Sequence, residues 1–160
     1  MEKWRLFFYR LLAGGRRKGE GAAEAPSRLL AVEQLPVETL AYIGDAVYEL
    51  FVRTDLVSRG LCRGEDLHRE AVRRVRASAQ AQKLSELLAR LTEEERELVR
   101  RGRNAKTGQV PRGARVIEYR HSTAFEVLLG YLFLKGKWDR LEEILTILAD
   151  EGNPCDPGPC

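Results

Sequence analysis

Two apolar runs, each interrupted by a single carboxylate, constrain this chain more than any other feature. The first is Leu40-Ala41-Tyr42-Ile43-Gly44-Asp45-Ala46-Val47-Tyr48-Glu49. The second, residues 124–134, reads AFEVLLGYLFL and holds Glu126. Both carry apolar residues at helical spacing, and neither alternates as a half-buried strand does. An ionised carboxylate in such surroundings is unfavourable by several kcal/mol unless a partner or a metal compensates it. For either residue alone, a buried carboxylate satisfied by a hydroxyl or an arginine is the plain alternative. Their joint occurrence, each beside a glycine or alanine that lets another helix approach, points to a shared divalent cation. Hard carboxylate oxygens suit Mg²⁺, with Mn²⁺ able to substitute.

Helical periods continue along the rest of the chain, so the fold class is all-α. A length of 160 residues fits one domain with a sizeable core. Gly14, Gly15, Gly19, Gly21 and Pro26 mark residues 1–28 as an N-terminal extension expected to be flexible. The compact domain is expected over 29–151, and 152–160 reads as a disordered tail. The first core helix is expected over Val37–Ser58, stopping at Gly60, with Leu40, Ile43, Val47 and Leu50 inward and burial nearly all round. Helices at 65–75 and 77–91 follow, the latter with Ala79, Leu84, Leu87 and Leu88 inward. Thr92 and Glu95 have the spacing of a capping box, opening a helix that ends near Gly102. Ser122 or Thr123 is expected to cap the apolar helix ending near Leu134, and Trp138–Asp150 forms the last. Phe125, Tyr131 and Phe133 read as core.

Charge is distributed unevenly. The net charge is only +3, yet residues 100–120 carry seven basic side chains against the single acidic Glu118. Such a stripe is the footprint of a phosphate-binding face; a solvated loop is the bland alternative. Arg101, Arg103, Lys106, Arg112 and Arg120 supply bidentate or point-charge phosphate contacts, and Asn104 a group for a base edge or a 2′-OH. Arg69, Arg73, Arg74 and Arg76 extend the positive surface or are simply solvated. The GxxxxGK[ST] spacing of a nucleotide-binding loop is absent. His68 and His121 lie far apart in sequence without a plausible Ser or Cys nucleophile nearby, which argues against histidine-based chemistry. Cys62, Cys155 and Cys160 support neither a disulfide framework nor a zinc site. No apolar run is long enough to span a membrane, and Arg5 and Arg10 break the N-terminal greasy stretch. A cytoplasmic protein with no membrane attachment is expected.

At these motifs the chain resembles Mini-ribonuclease III, a bacterial family made of a ribonuclease III catalytic domain without the double-stranded-RNA-binding domain. The matching pieces are LAYIGDAVYE at 40–49, Asp66-Leu67-His68, RGRNAK at 101–106 and YRHSTAFEVLLGYLFL at 119–134, together spanning about 36–150. The resemblance implies a ribonuclease III endonuclease-domain-like helical bundle and a homodimer. It implies a Mg²⁺-dependent endoribonuclease that cuts double-stranded RNA, leaving a 5′-phosphate, and trims the ends of the 23S ribosomal RNA precursor. Asp45 stands at the family's catalytic aspartate and Glu126 at its metal-binding glutamate. Full-length ribonuclease III has further acids four positions before the first and three before the second. Ala41 and Thr123 occupy those places here, leaving two protein carboxylates per site, and Glu38, two turns before Asp45, is a poor substitute. Dimerisation along the first core helix would set two such sites about one minor groove apart. No protein partner beyond the second subunit is indicated.

Two competing readings stay open on the residues alone. One is a non-catalytic RNA-binding or ribosome-assembly protein on the same fold, because folds do not fix function. The other is an all-α interaction module with buried ion pairs. The presence of both Asp45 and Glu126 separates the nuclease from the first, and RNA affinity at low salt separates it from the second.

Overall fold

The computed structural model describes residues 32–105 and 115–150. Among these are six α-helices, two single-turn 3₁₀ segments (Val32–Gln34 and Leu88–Arg90) and no strand. We label the helices α1 (Val37–Ser58), α2 (Gly64–Val75), α3 (Ala77–Leu87), α4 (Glu93–Asn104), α5 (Val116–Leu134) and α6 (Trp138–Asp150). The N-terminal extension (1–28) and the tail (152–160) lie outside the described residues, as does most of the basic loop.

Helix α5 is the axis of the bundle. From Ser122 to Leu132 every residue is buried except Glu126. Helices α1, α3 and α4 pack around it, and their apolar faces close a core that includes Tyr48, Leu56, Leu84, Leu98, Phe125, Leu128 and Ile144. Tyr48 meets Phe125 edge to face, ring centroids 4.9 Å apart, and Phe133 meets Trp138 likewise at 5.0 Å. An all-round apolar helix of this kind belongs in the centre of a domain.

The helix that was expected to open at Ser122 or Thr123 opens at Val116 instead. Both hydroxyls donate to the Tyr119 carbonyl, at 2.9 and 3.0 Å. A mid-helix Ser or Thr satisfies itself on a carbonyl one turn back, which is why a capping residue type here marks no boundary. Helix α1 has the expected bounds, but its inward stripe is Leu40, Gly44, Tyr48, Val52 and Leu56, not Leu40, Ile43, Val47 and Leu50. Leu50 is 63% exposed and Tyr42 78%, so this helix is not buried all round. Apolarity alone gave the wrong face because glycine carries none, yet Gly44 makes the closest contact. Helix α3 is rotated in the same sense: Gln80, Ala81, Leu84 and Leu87 are buried and Leu88 is exposed.

The ends of the helices are secured locally. At the start of α4 the Thr92 N–H donates to Glu95 Oε2 at 2.9 Å, and the Glu95 N–H to Thr92 Oγ1 at 3.3 Å. Arg140 from α6 completes the buried Glu95 with two hydrogen bonds of 2.9 Å. At the far end of α6, Lys83 and Arg59 donate to the carbonyls of Leu148 and Ala149, which otherwise lack helical partners. Arg69, Arg73 and Arg74 pair with Asp66, Glu70 and Asp55. Arg74, nearly buried, is a structural cation tying α2 to α1 and not part of a positive surface. Cys62 is disulfide-bonded, contrary to the sequence expectation. No helix among the described residues is long and apolar enough to cross a membrane.

Candidate functional site

The site is built where α1 and α5 cross. Each helix presents a glycine to the other, and the backbones touch. A Cβ on Gly44 would lie 1.8 Å from the Glu126 carbonyl oxygen and 2.9 Å from the Gly130 nitrogen. A Cβ on Gly130 would lie 2.0 Å from the Leu40 carbonyl oxygen. No side chain fits at either position. Asp45 directly follows Gly44 and Glu126 lies one turn before Gly130, so both carboxylates emerge at the crossing. Helix α4 is pinned to the same part of α5, since a Cβ on Gly102 would lie 2.7 Å from Ala124 Cα.

Burial raises the Glu126 carboxyl to a pKa of about 7, helped by the charge of Asp45 and opposed by a hydrogen bond from the Gln80 side chain. Burial also raises Asp45, with the Glu49 charge adding to it. Asp45 retains substantial solvent exposure, so its partial desolvation comes from the protein on one side. Glu49, one turn on, is engaged by Arg53 at 2.7 Å. Among the described residues, Asp45 and Glu126 are the carboxylates whose pKa is raised. The shifted carboxylates elsewhere (Glu33, Glu70, Glu94, Glu95, Glu97) are each lowered by a lysine or arginine partner. The crossing therefore carries two neighbouring carboxyl groups that no basic side chain among the described residues compensates.

Those features fit a small divalent cation. Two carboxylates can hold Mg²⁺ while water completes its shell. Among the described residues no group of three or more His, Cys, Asp or Glu side chains gathers for a metal. Thr123 is turned to the Tyr119 carbonyl and Glu38 is exposed, so neither adds a third carboxylate or an obvious substitute. Sequence reasoning missed Gln80, which is 1% exposed and lies beside Glu126. Its signal was available: Gln80, Leu84 and Leu87 fall at helical spacing on one face, which places a polar residue in an apolar stripe.

Of the loop residues singled out in the sequence, those described lie at the end of α4 and near the start of α5. Arg101 is half-buried and donates from Nη1 to the Glu33 carbonyl at 3.4 Å. Arg103 and Asn104 are exposed in the last turn of α4. Val37, Glu97, Arg100, Arg101, Asn104 and Ala105 line a shallow depression of about 360 Å³. Arg120 is exposed on α5, six residues before Glu126. Lys106 and Arg112 lie outside the described residues. On α1, Tyr42, Leu50 and Val57 form an exposed apolar stripe.

Residues 38–137 match the family model described as the ribonuclease III domain. The chain is 54% identical over 116 residues to Mini-ribonuclease 3 of Symbiobacterium thermophilum, covering 72% of this chain and 89% of that protein. It is 50% identical over 106 residues to Mini-ribonuclease 3 of Brevibacillus brevis, covering 66% and 79%. A Fusobacterium nucleatum protein solved by X-ray crystallography superposes with a TM-score of 0.67 at 28% identity, over 74% of this chain and 95% of its own.

Proposed function

The chain belongs to the ribonuclease III domain family, in which it is an endoribonuclease, and on that premise we propose that it is a Mg²⁺-dependent enzyme cutting double-stranded RNA. Its substrate in this reading is the 23S ribosomal RNA precursor, whose ends it matures in the cytoplasm. The catalytic domain spans 29–151. The observation that carries the reading is the uncompensated pair Asp45 and Glu126 at a backbone-tight helix crossing.

Asp45 and Glu126 would hold the cation. When bound, Mg²⁺ neutralises charge developing on a phosphodiester and lowers the pKa of a bound water. The chain's own residues do the rest. The Gly44–Gly130 contact fixes the separation of the two carboxylates, because helices in backbone contact cannot slide without clashing. Their proximity to each other discourages simultaneous ionisation in the free protein, so cation binding and loss of the Glu126 proton go together. Arg103, Asn104 and Arg120, with Arg101, Lys106 and Arg112, contact the RNA backbone beside the site. Such contacts recognise A-form shape more than sequence, and make affinity depend steeply on salt. The stripe of Tyr42, Leu50 and Val57 is the face on which a second subunit would dock, forming the homodimer.

Incubation of the purified protein with a long RNA duplex, with Mg²⁺ or with EDTA, tests the reading. Cleavage that needs Mg²⁺ and is lost in Asp45→Asn and Glu126→Gln, with duplex binding retained, is the expected result. Cleavage surviving in either variant would remove the proposed site. Binding without any cleavage by the unmodified protein would favour the RNA-binding alternative.

A further inference from the structure

We propose that Gln80 is a positioning residue of the cation site, its side-chain amide holding the Glu126 carboxylate in the orientation that serves the cation. The proposal rests on the reading of Asp45 and Glu126 given above. Gln80 reaches Glu126 from α3, a third helix, and is 1% exposed. Its amide nitrogen donates to the carboxylate. Its Oε1 is buried and accepts no hydrogen bond among the described residues.

An orphaned buried carbonyl oxygen is unfavourable by about 1–3 kcal/mol, whereas an apolar side chain of similar length would leave nothing unsatisfied. Core stability therefore does not explain an amide at this position. Restraint of Glu126 does. Glutamate has three side-chain torsions, and a donor on one carboxylate oxygen limits them while leaving the second oxygen free. The choice of donor matters as well. Lysine or arginine at position 80 would restrain the carboxylate but also neutralise it, competing with a divalent ion. A neutral amide orients without removing the charge. Hydrogen bonds of this outer kind commonly tune metal affinity by about 10–100-fold.

The test is calorimetric Mn²⁺ titration of the full-length protein, with thermal unfolding of the metal-free forms. The variants are Gln80→Met, Gln80→Leu, Glu126→Gln and the double variant Gln80→Met/Glu126→Gln. Metal-free Gln80→Met and Gln80→Leu should melt no lower than the unmodified protein, and their Mn²⁺ Kd should rise about 10-fold or more. In the Glu126→Gln background, Gln80→Met should cause no further loss. Mn²⁺ Kd values within about twofold of the unmodified protein in both apolar variants would overturn the proposal. So would unfolding of both, which would make the amide a core element. Unaltered Mn²⁺ binding by Glu126→Gln would instead strike the underlying reading of the cation site.

Discussion

A methyl group on Gly44 would overlap the main-chain carbonyl of Glu126, its carbon only 1.8 Å from the oxygen. The obstacle is backbone in the middle of a buried helix, not the movable end of a side chain. Overpacking of a core usually costs about 1–3 kcal/mol, and a rigid obstacle places Gly44→Ala at or above the top of that range. The same holds for Gly130→Ala. Gly64→Ala serves as the control, because nothing lies within 4 Å of its added Cβ. Urea denaturation should show the first two strongly destabilised and the control within about 0.5 kcal/mol of the unmodified protein. RNA cleavage should fall with the first two, since forcing α1 from α5 separates Asp45 from Glu126.

Stability of the metal-free protein should fall as pH rises from about 5 to 8. The Glu126 carboxyl titrates near 4.5 in the unfolded chain and at about 7 in the fold. Between those values the native state holds a proton that the unfolded state has lost, so raising pH favours unfolding. A shift of this size corresponds to roughly 3–4 kcal/mol at most, fully expressed above the folded pKa. Asp45, also raised, adds in the same direction. Glu126→Gln should therefore be more stable than the unmodified protein at pH 8 and nearly equal to it at pH 5. Thermal melts at the two pH values check this, and a variant without that pH-dependent gain would contradict the raised pKa.

Added Mg²⁺ should reverse the same loss. A ligand that binds only the native state stabilises it by mass action, by about 2.7 kcal/mol at 100 times its Kd. Because a proton on Glu126 competes with the cation, the midpoint of Mg²⁺ stabilisation should move to lower concentration as pH rises through 7. The melting temperature of Glu126→Gln should respond little to Mg²⁺ at any pH. An equal Mg²⁺ response in both proteins would remove Glu126 from the site.

The helices were legible in the sequence where periodicity and chemistry agreed. Val37–Ser58, Trp138–Asp150 and the Thr92–Glu95 capping box stand as read. Reading failed where a residue's contribution is not its hydrophobicity. Gly44 defines the buried face of α1 by letting a backbone in, and a scale that scores side chains cannot register that. Ser122 and Thr123 look like caps because their hydroxyls seek backbone, yet inside α5 they find it one turn back. Asp45 and Glu126 stood out as charges in apolar runs. Gln80 did not, since an uncharged polar residue among apolar ones at helical spacing is a weaker signal than a charge, although the buried face of α3 carries it. Arg74 was legible as a charge but not as one neutralised within the fold.

Substitution at the end of α4 should separate RNA contact from fold support. Arg103 is exposed at the surface, whereas Arg101 is half-buried and bonded to the Glu33 carbonyl. Arg103→Ala should leave stability within about 0.5 kcal/mol of the unmodified protein, while Arg101→Ala loses roughly 0.5–1.5 kcal/mol with its hydrogen bond. Replacing Arg101, Arg103 and Lys106 together should lower duplex affinity and reduce the log–log salt slope by up to about three phosphate contacts' worth. Gel-shift titrations across a salt series measure both. Affinity and slope that stay unchanged would show that RNA approaches another face.

The exposed stripe on α1 gives the last prediction. Tyr42, Leu50 and Val57 are 78%, 63% and 59% exposed in the single chain, on a helix whose opposite face is buried in the core. Three large apolar groups on one helix are unfavourable in water unless covered, and a second copy of α1 offers the same stripe under twofold symmetry. Leu50→Asp would set a charge in the middle of that contact, and the twofold would bring two such charges together. Sedimentation should then show a dimer for the unmodified protein and a monomer for the variant. The variant's own fold should be intact, because Leu50 makes little contact with the core of its own subunit. Duplex cleavage should drop sharply in the monomer, which can address only one strand at a time, while the Mn²⁺ Kd per chain stays unchanged because Asp45 and Glu126 come from the same chain. A monomeric unmodified protein that cuts both strands of a duplex would refute this arrangement.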